Sequence, residues 1–178
     1  AYRQSRCGCH LLIRKRGVTW RRYLFHGLMC LREINYYETD RMGIVHHSNY
    51  IRFLEEARCR WIKQIGVSME SLEDSGFTIP TLEVYCKYVN PVTSGDVISI
   101  TPFISEYNGV RMTVSYKVIN AQTQKEVVKA WTKHCFTNNS LRPINMKKAD
   151  PNIHKILNYG NSNLSFSTLL NVYEFCSI

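Results

Sequence analysis

At 178 residues the chain is long enough for one domain with a real core and short for two. Its formal charge of +9 is uneven: residues 1–25 hold Arg3, Arg6, Arg14, Lys15, Arg16, Arg21 and Arg22 and no acid, whereas residues 26–178 carry 16 basic and 14 acidic side chains. A nearly neutral body argues against nucleic-acid binding as the main work of the fold, and apolar runs as short as residues 11–13 and 169–170 fall far below the ~20 residues of a membrane-spanning helix.

The basic arm over residues 1–25 has three readings: a non-native leader, an Arg-rich presequence, or an anion-binding segment. It carries no assigned function. Cys30, Cys59, Cys86, Cys135 and Cys176 are scattered singly through apolar patterns, which suits reduced core thiols and a cytoplasmic protein better than a disulfide scaffold. Cys7, Cys9 and His10 form the one cluster, and without a second pair at ligand spacing no metal is expected. No cofactor is expected either.

In chain order, residues 28–37 are strand-like, and a loop with Arg41, Met42 and Gly43 follows. Over residues 49–65 the apolar positions Tyr50, Phe53, Leu54, Ala57, Trp61 and Ile65 recur every three or four residues, with Arg52, Glu55, Glu56, Arg60 and Lys63 on the other side. That spacing predicts one amphipathic helix, with Ser48 or Asn49 as N-cap and Gly66 as stop. A short helical piece over 69–74 ends at Gly76.

Four strands are predicted next. Segments 81–89 and 97–104 are divided by Asn90, Pro91, Ser94 and Gly95; Asn108-Gly109 signals a hairpin; Met112, Val114, Tyr116 and Val118 alternate with polar residues; and residues 127–136 complete the set. Residues 150–157 fit a short terminal helix, and the tail over 158–178 has no secure pattern. The order of strand, long helix, short helix and four strands implies a two-layer α+β domain over residues 26–157, an antiparallel sheet wrapped around one long helix.

The stretch that bears on chemistry is 36–58, YYETDRMGIVHHSNYIRFLEEAR. Tyr36, Asp40 and His47 surround one turn that leads into the helix. Backbone N–H groups in a helix's first turn lack intrahelical partners, and the macrodipole adds about half a positive charge there. A thioester carbonyl resting on those groups has its developing oxyanion stabilised, and a carboxylate nearby can attack the carbonyl or activate water. Asp40 is the candidate nucleophile or general base; His47 offers its amide and ring; the Tyr36 hydroxyl is placed to hold Asp40. Singly, each has an ordinary structural role as well: a cap, a surface histidine and a packed strand tyrosine.

The combination of Tyr36, Thr39-Asp40, Gly43-Ile44-Val45 and His47 followed by Asn49-Tyr50 resembles the 4-hydroxybenzoyl-CoA thioesterase-like hotdog family, and in particular its YbgC-like acyl-CoA thioesterase branch. The likeness continues through Phe53-Leu54-Glu55, Arg58, the turn from Asn90-Pro91 to Gly95-Asp96, and Arg142-Pro143. It implies a hotdog fold, hydrolysis of an acyl-CoA thioester to free acid and CoA, a catalytic role for Asp40, His47 and Tyr36, and a homodimer or homotetramer. It also marks Gly43, Val45, Asn49 and Arg142 as candidate substrate-binding positions. For the CoA phosphates, Lys87, Arg111, Lys133 and Arg142 are all available. A non-catalytic acyl-thioester binding protein and an enzyme acting on acyl-carrier-protein thioesters are the competing readings.

Overall fold

The computed structural model describes residues 29–67 and 69–161, so the basic arm, the Cys7–His10 cluster and most of the 158–178 tail lie outside the described residues. The elements are β1 (Cys30–Glu33), α1 (His47–Gln64), α2 (Met69–Asp74), β2 (Phe77–Thr78), β3 (Thr81–Tyr88), β4 (Val97–Tyr107), β5 (Arg111–Asn120), β6 (Glu126–Cys135), β7 (Thr137–Asn138), α3 (Met146–Ala149) and α4 (Pro151–Asn161). Five strands form one antiparallel sheet in the order β1-β4-β5-β6-β3, and β2 pairs with β7 separately.

Alternation in β5 buries Met112, Val114, Tyr116 and Val118 on one face of the sheet. Against that face α1 packs Tyr50, Phe53, Leu54, Ala57, Trp61 and Ile62. Each apolar side chain buried this way stabilises the fold by roughly 1.5–3 kcal/mol relative to exposure, which is why the long helix sits in the sheet's concavity rather than beside it. Gly66 ends the helix in the left-handed region, at φ +88°, where its amide donates to the Lys63 carbonyl.

The structure departs from the sequence reading at both ends of this framework. Strand character stops at Glu33, and Tyr36–Glu38 forms a 3-10 turn, because Asn35 and Glu38 make a capping box that draws the chain out of the sheet. Helix α1 begins two residues earlier than the pattern predicts. Its N-cap is His46, whose Nδ1 accepts from the Ser48 amide at 3.4 Å, so neither Ser48 nor Asn49 takes that place. Four predicted strands are present as β3 to β6, while β2, β7 and α3 are too short to leave a periodic signal.

Candidate active site

Residues 38–46 close a tight antiparallel loop. The His46 amide donates to the Glu38 carbonyl at 2.9 Å, Thr39 bridges Val45, and the Asp40 amide donates to the Ile44 carbonyl at 2.9 Å. At the tip, Gly43 N–H donates to the Asp40 carbonyl at 2.9 Å, and Asp40 Oδ1 accepts from the Met42 amide at 2.8 Å. Asp40 therefore opens an Asx-type turn. Its other carboxylate oxygen has no protein donor among the described residues.

Counting along the ladder, Asp40 lies two positions beyond the Glu38–His46 pair, a displacement of about 7 Å at the rise of an extended chain. His46 is the cap and His47 the first residue of α1, so the Asp40 loop runs directly into the amide-bearing end of the helix. Asp40 is half-buried and, with Tyr36, Tyr37, Thr39, Arg41 and Gly43, lines an open depression of about 590 Å3. All six residues lining the hollow belong to the 3-10 turn and the loop before α1.

Three contacts hold the loop to the helix. Asn49 Nδ2 donates to the Glu38 carbonyl at 2.9 Å. The Glu38 carboxylate, 4% exposed, pairs with Arg32 and accepts from the Asn35 amide at 2.9 Å. Arg32 in turn reaches Glu56 of α1 at 2.6 Å and lies over the Phe53 ring at 4.0 Å. Strand β1, the Asp40 loop and α1 are thereby fastened through one guanidinium.

Gly43 stands at φ +74° with open space around a would-be Cβ. The restriction there is purely conformational, so Gly43→Ala is expected to cost about 1–2 kcal/mol and to lower the melting temperature by a few degrees. Thermal unfolding by circular dichroism measures it, and an unchanged midpoint would contradict the strain argument.

The remaining sequence candidates divide. Tyr36 is 83% exposed and sits on the 3-10 turn, so its hydroxyl does not hold Asp40; the Met42 amide does that. The His47 ring lies 4.1 Å from that of His46, and the His47 carbonyl accepts from Tyr88 Oη at 3.2 Å. Val45, 4% exposed, belongs to the core, where its amide donates to the Val92 carbonyl at 2.9 Å and anchors the loop. Arg142 is exposed in the turn after β7 and is not among the residues lining the Asp40 depression. Of the other cations considered for CoA, Lys133 is paired with Glu83 at 3.0 Å. Among the described residues no three His, Cys, Asp or Glu side chains gather as metal ligands would. No described helix is long and apolar enough to cross a membrane.

A second cavity, of about 210 Å3, opens along α1. Ile51, Glu55 and Val84 are exposed at its rim, and Arg58, Tyr116, Thr132 and His134, none more than 6% exposed, lie beneath. Tyr116 Oη meets Thr132 Oγ1 at 2.8 Å, and Thr132 Oγ1 meets His134 Nε2 at 2.7 Å. Burial, and then the Arg58 charge, lower the His134 pKa from 6.5 to about 3. The unfolded chain therefore takes up this proton below pH 6.5 while the folded chain refuses it, so folded stability declines as pH falls from 6.5 toward 3. Unfolding midpoints between pH 7 and pH 5 are expected to fall less steeply in His134→Gln, by about 1 kcal/mol per pH unit below the unfolded value. Parallel profiles would rule out that contribution.

Sequence reasoning missed the His46 cap, the Glu38–Arg32 clamp and the Arg58–His134 cavity floor. Arg58 carried a usable signal, since it follows Leu54 by four residues and so falls on the apolar stripe. For His134, the alternation of β6 places it on the face shared with Thr132 and Ala130.

With this geometry in place, comparison with known proteins gives the class. The model of the thioesterase-like superfamily matches residues 34–155, and the chain belongs to that family of thioester hydrolases. It is 32% identical over 123 residues to the Bacillus subtilis (strain 168) protein named "Putative acyl-CoA thioesterase YneP", covering 68% of this chain and 88% of that one. The crystal structure of a hypothetical protein from Aquifex aeolicus superposes with a TM-score of 0.67 at 32% identity, covering 73% of this chain and 98% of that one. The 4-hydroxybenzoyl CoA thioesterase of Pseudomonas sp. strain CBS-3 shares the hotdog fold, with a TM-score of 0.65 at 18% identity over 74% of this chain and 99% of its own.

Proposed function

We propose that the protein hydrolyses an acyl-CoA thioester to a free carboxylic acid and CoA, with Asp40 as the reacting carboxylate and the start of α1 as the oxyanion site. The observation that carries this reading is the Asp40 turn: it ends two ladder positions from the helix cap, on the wall of an open hollow. A thioester carbonyl seated between them receives the His47 amide on its oxygen and Asp40 at its carbon, or at a water beside it. The C–S bond then breaks and CoA departs as the thiolate. The family and the name of the Bacillus subtilis relative support the acyl-CoA substrate.

Two chains pair through β3 in this reading. That strand ends the sheet, and Leu82, Val84, Tyr85 and Tyr88 on it are each more than 40% exposed. An apolar edge of this length pairs readily with a second copy of itself. Light scattering of the purified chain tests the pairing, and a strictly monomeric mass at micromolar concentration would refute it.

The test of function is thiol release from a panel of short, long and aromatic acyl-CoAs by the full chain. Hydrolysis of at least one class, lost on substitution of Asp40, is expected. Absence of hydrolysis together with retained acyl-CoA binding would favour a binding protein.

A further inference from the structure

The 210 Å3 cavity is better suited to a particular kind of acyl group than to acyl groups in general. His47, Ile51, Glu55 and Arg58 follow one another along one face of α1. β3 runs beside that face, with Tyr88 at His47 and Val84 at the cavity. The start of the helix and the guanidinium therefore share one face of α1, both beside β3. Eleven residues of helical rise amount to about 16 Å, and the side chain of Arg58 leans back toward the N-terminus, which shortens the reach.

At the floor, Arg58 is 4% exposed and its Nη1 has no hydrogen-bond partner. A buried donor of this kind costs about 1–3 kcal/mol, and more when charged, unless something accepts from it. An unsubstituted alkyl end filling the cavity would leave that donor, already shielded from water, without an acceptor. Glu55 Oε1 already stands 3.7 Å from Nη2 and lines the same cavity, so a second carboxylate would be forced against it. His134, held neutral by its burial, adds no further cation. A neutral oxygen is what remains.

We propose, resting on the acyl-CoA thioesterase reading, that this cavity is the distal acyl subsite and selects acyl groups bearing a neutral hydroxyl or oxo oxygen far from the thioester, bound by Arg58 Nη1. Ile51 and Val84 supply the apolar walls along which the carbon skeleton lies. Selectivity arises because an analogue lacking the oxygen leaves Arg58 Nη1 without an acceptor, and sites built around such a bond discriminate strongly.

The experiment compares kcat/KM for octanoyl- and decanoyl-CoA with their ω-hydroxy and ω-carboxy counterparts. In parallel, equilibrium binding is measured with the corresponding S-alkyl thioether analogues of CoA, which cannot be cleaved. An ω-hydroxy preference of at least about tenfold is expected in both measurements, with the ω-carboxy compounds below the ω-hydroxy ones. Arg58→Met, which keeps the aliphatic bulk, is expected to abolish the preference; the wild-type comparison stands by itself if that variant does not fold. Equal values for plain and ω-hydroxy compounds in both assays would overturn the subsite, as would a preference for the carboxylate. Preference in thioether binding with no turnover of any thioester would instead overturn the hydrolase reading and leave the subsite standing.

Discussion

Asp40→Asn is expected to lower thiol release from a good acyl-CoA substrate by at least about a hundredfold while leaving the fold in place. The turn gives the reason for both halves of that expectation. Asp40 Oδ1 accepts from the Met42 amide at 2.8 Å, and an asparagine carbonyl oxygen can accept the same bond. The Asx turn survives. The second oxygen becomes an amide nitrogen, which neither attacks a carbonyl nor takes a proton from water. Full activity in the variant, with an unchanged melting temperature, would remove Asp40 from the mechanism. Single turnover in isotopically labelled water separates the two routes, because water attacking a mixed anhydride at the Asp40 carbonyl leaves label in that side chain.

His47→Pro is expected to cost about a hundredfold in kcat, and His47→Ala far less. Proline is well tolerated at the first position of a helix, where its missing N–H removes no intrahelical bond. The preceding residue is already suitable: His46 has φ −61° and ψ 132°, the extended region that a residue before proline prefers. The substitution thus deletes one amide and little of the helix. If alanine and proline reduce kcat equally, the imidazole and not the amide carries the role. Far-ultraviolet circular dichroism on both variants checks that α1 persists.

The framework was legible because its elements are long and regularly patterned. Eighteen residues of α1 and the alternation in β5 each bury one continuous face, and such patterns survive as sequence periodicity. The position of Asp40 ahead of the helix was legible for the same reason, since the helix start could be bounded to within two residues. Its local geometry was not. The capping box of Asn35 with Glu38 turns the chain at Tyr36, and that single turn exposes a tyrosine expected to pack in a strand. Local side-chain bonds to the backbone compete with strand pairing and leave no periodic trace.

Arg58 and His134 are instructive in a different way. A charged residue on a helix is read as solvent-facing by default, and a histidine in an alternating strand has no fixed side. Only the tertiary arrangement, with the sheet wrapped over α1, brings them together under Ile51 and Val84. The same arrangement explains why Arg142, linked to the site by resemblance alone, stands in a separate turn after β7.

The hydroxyl of Tyr88 reaches the carbonyl of His47 from the outermost strand. A chain docking along that rim as proposed would therefore bear on the start of α1 through this one hydrogen bond. With the proposed pairing of two chains through β3, dilution is expected to lower turnover per chain.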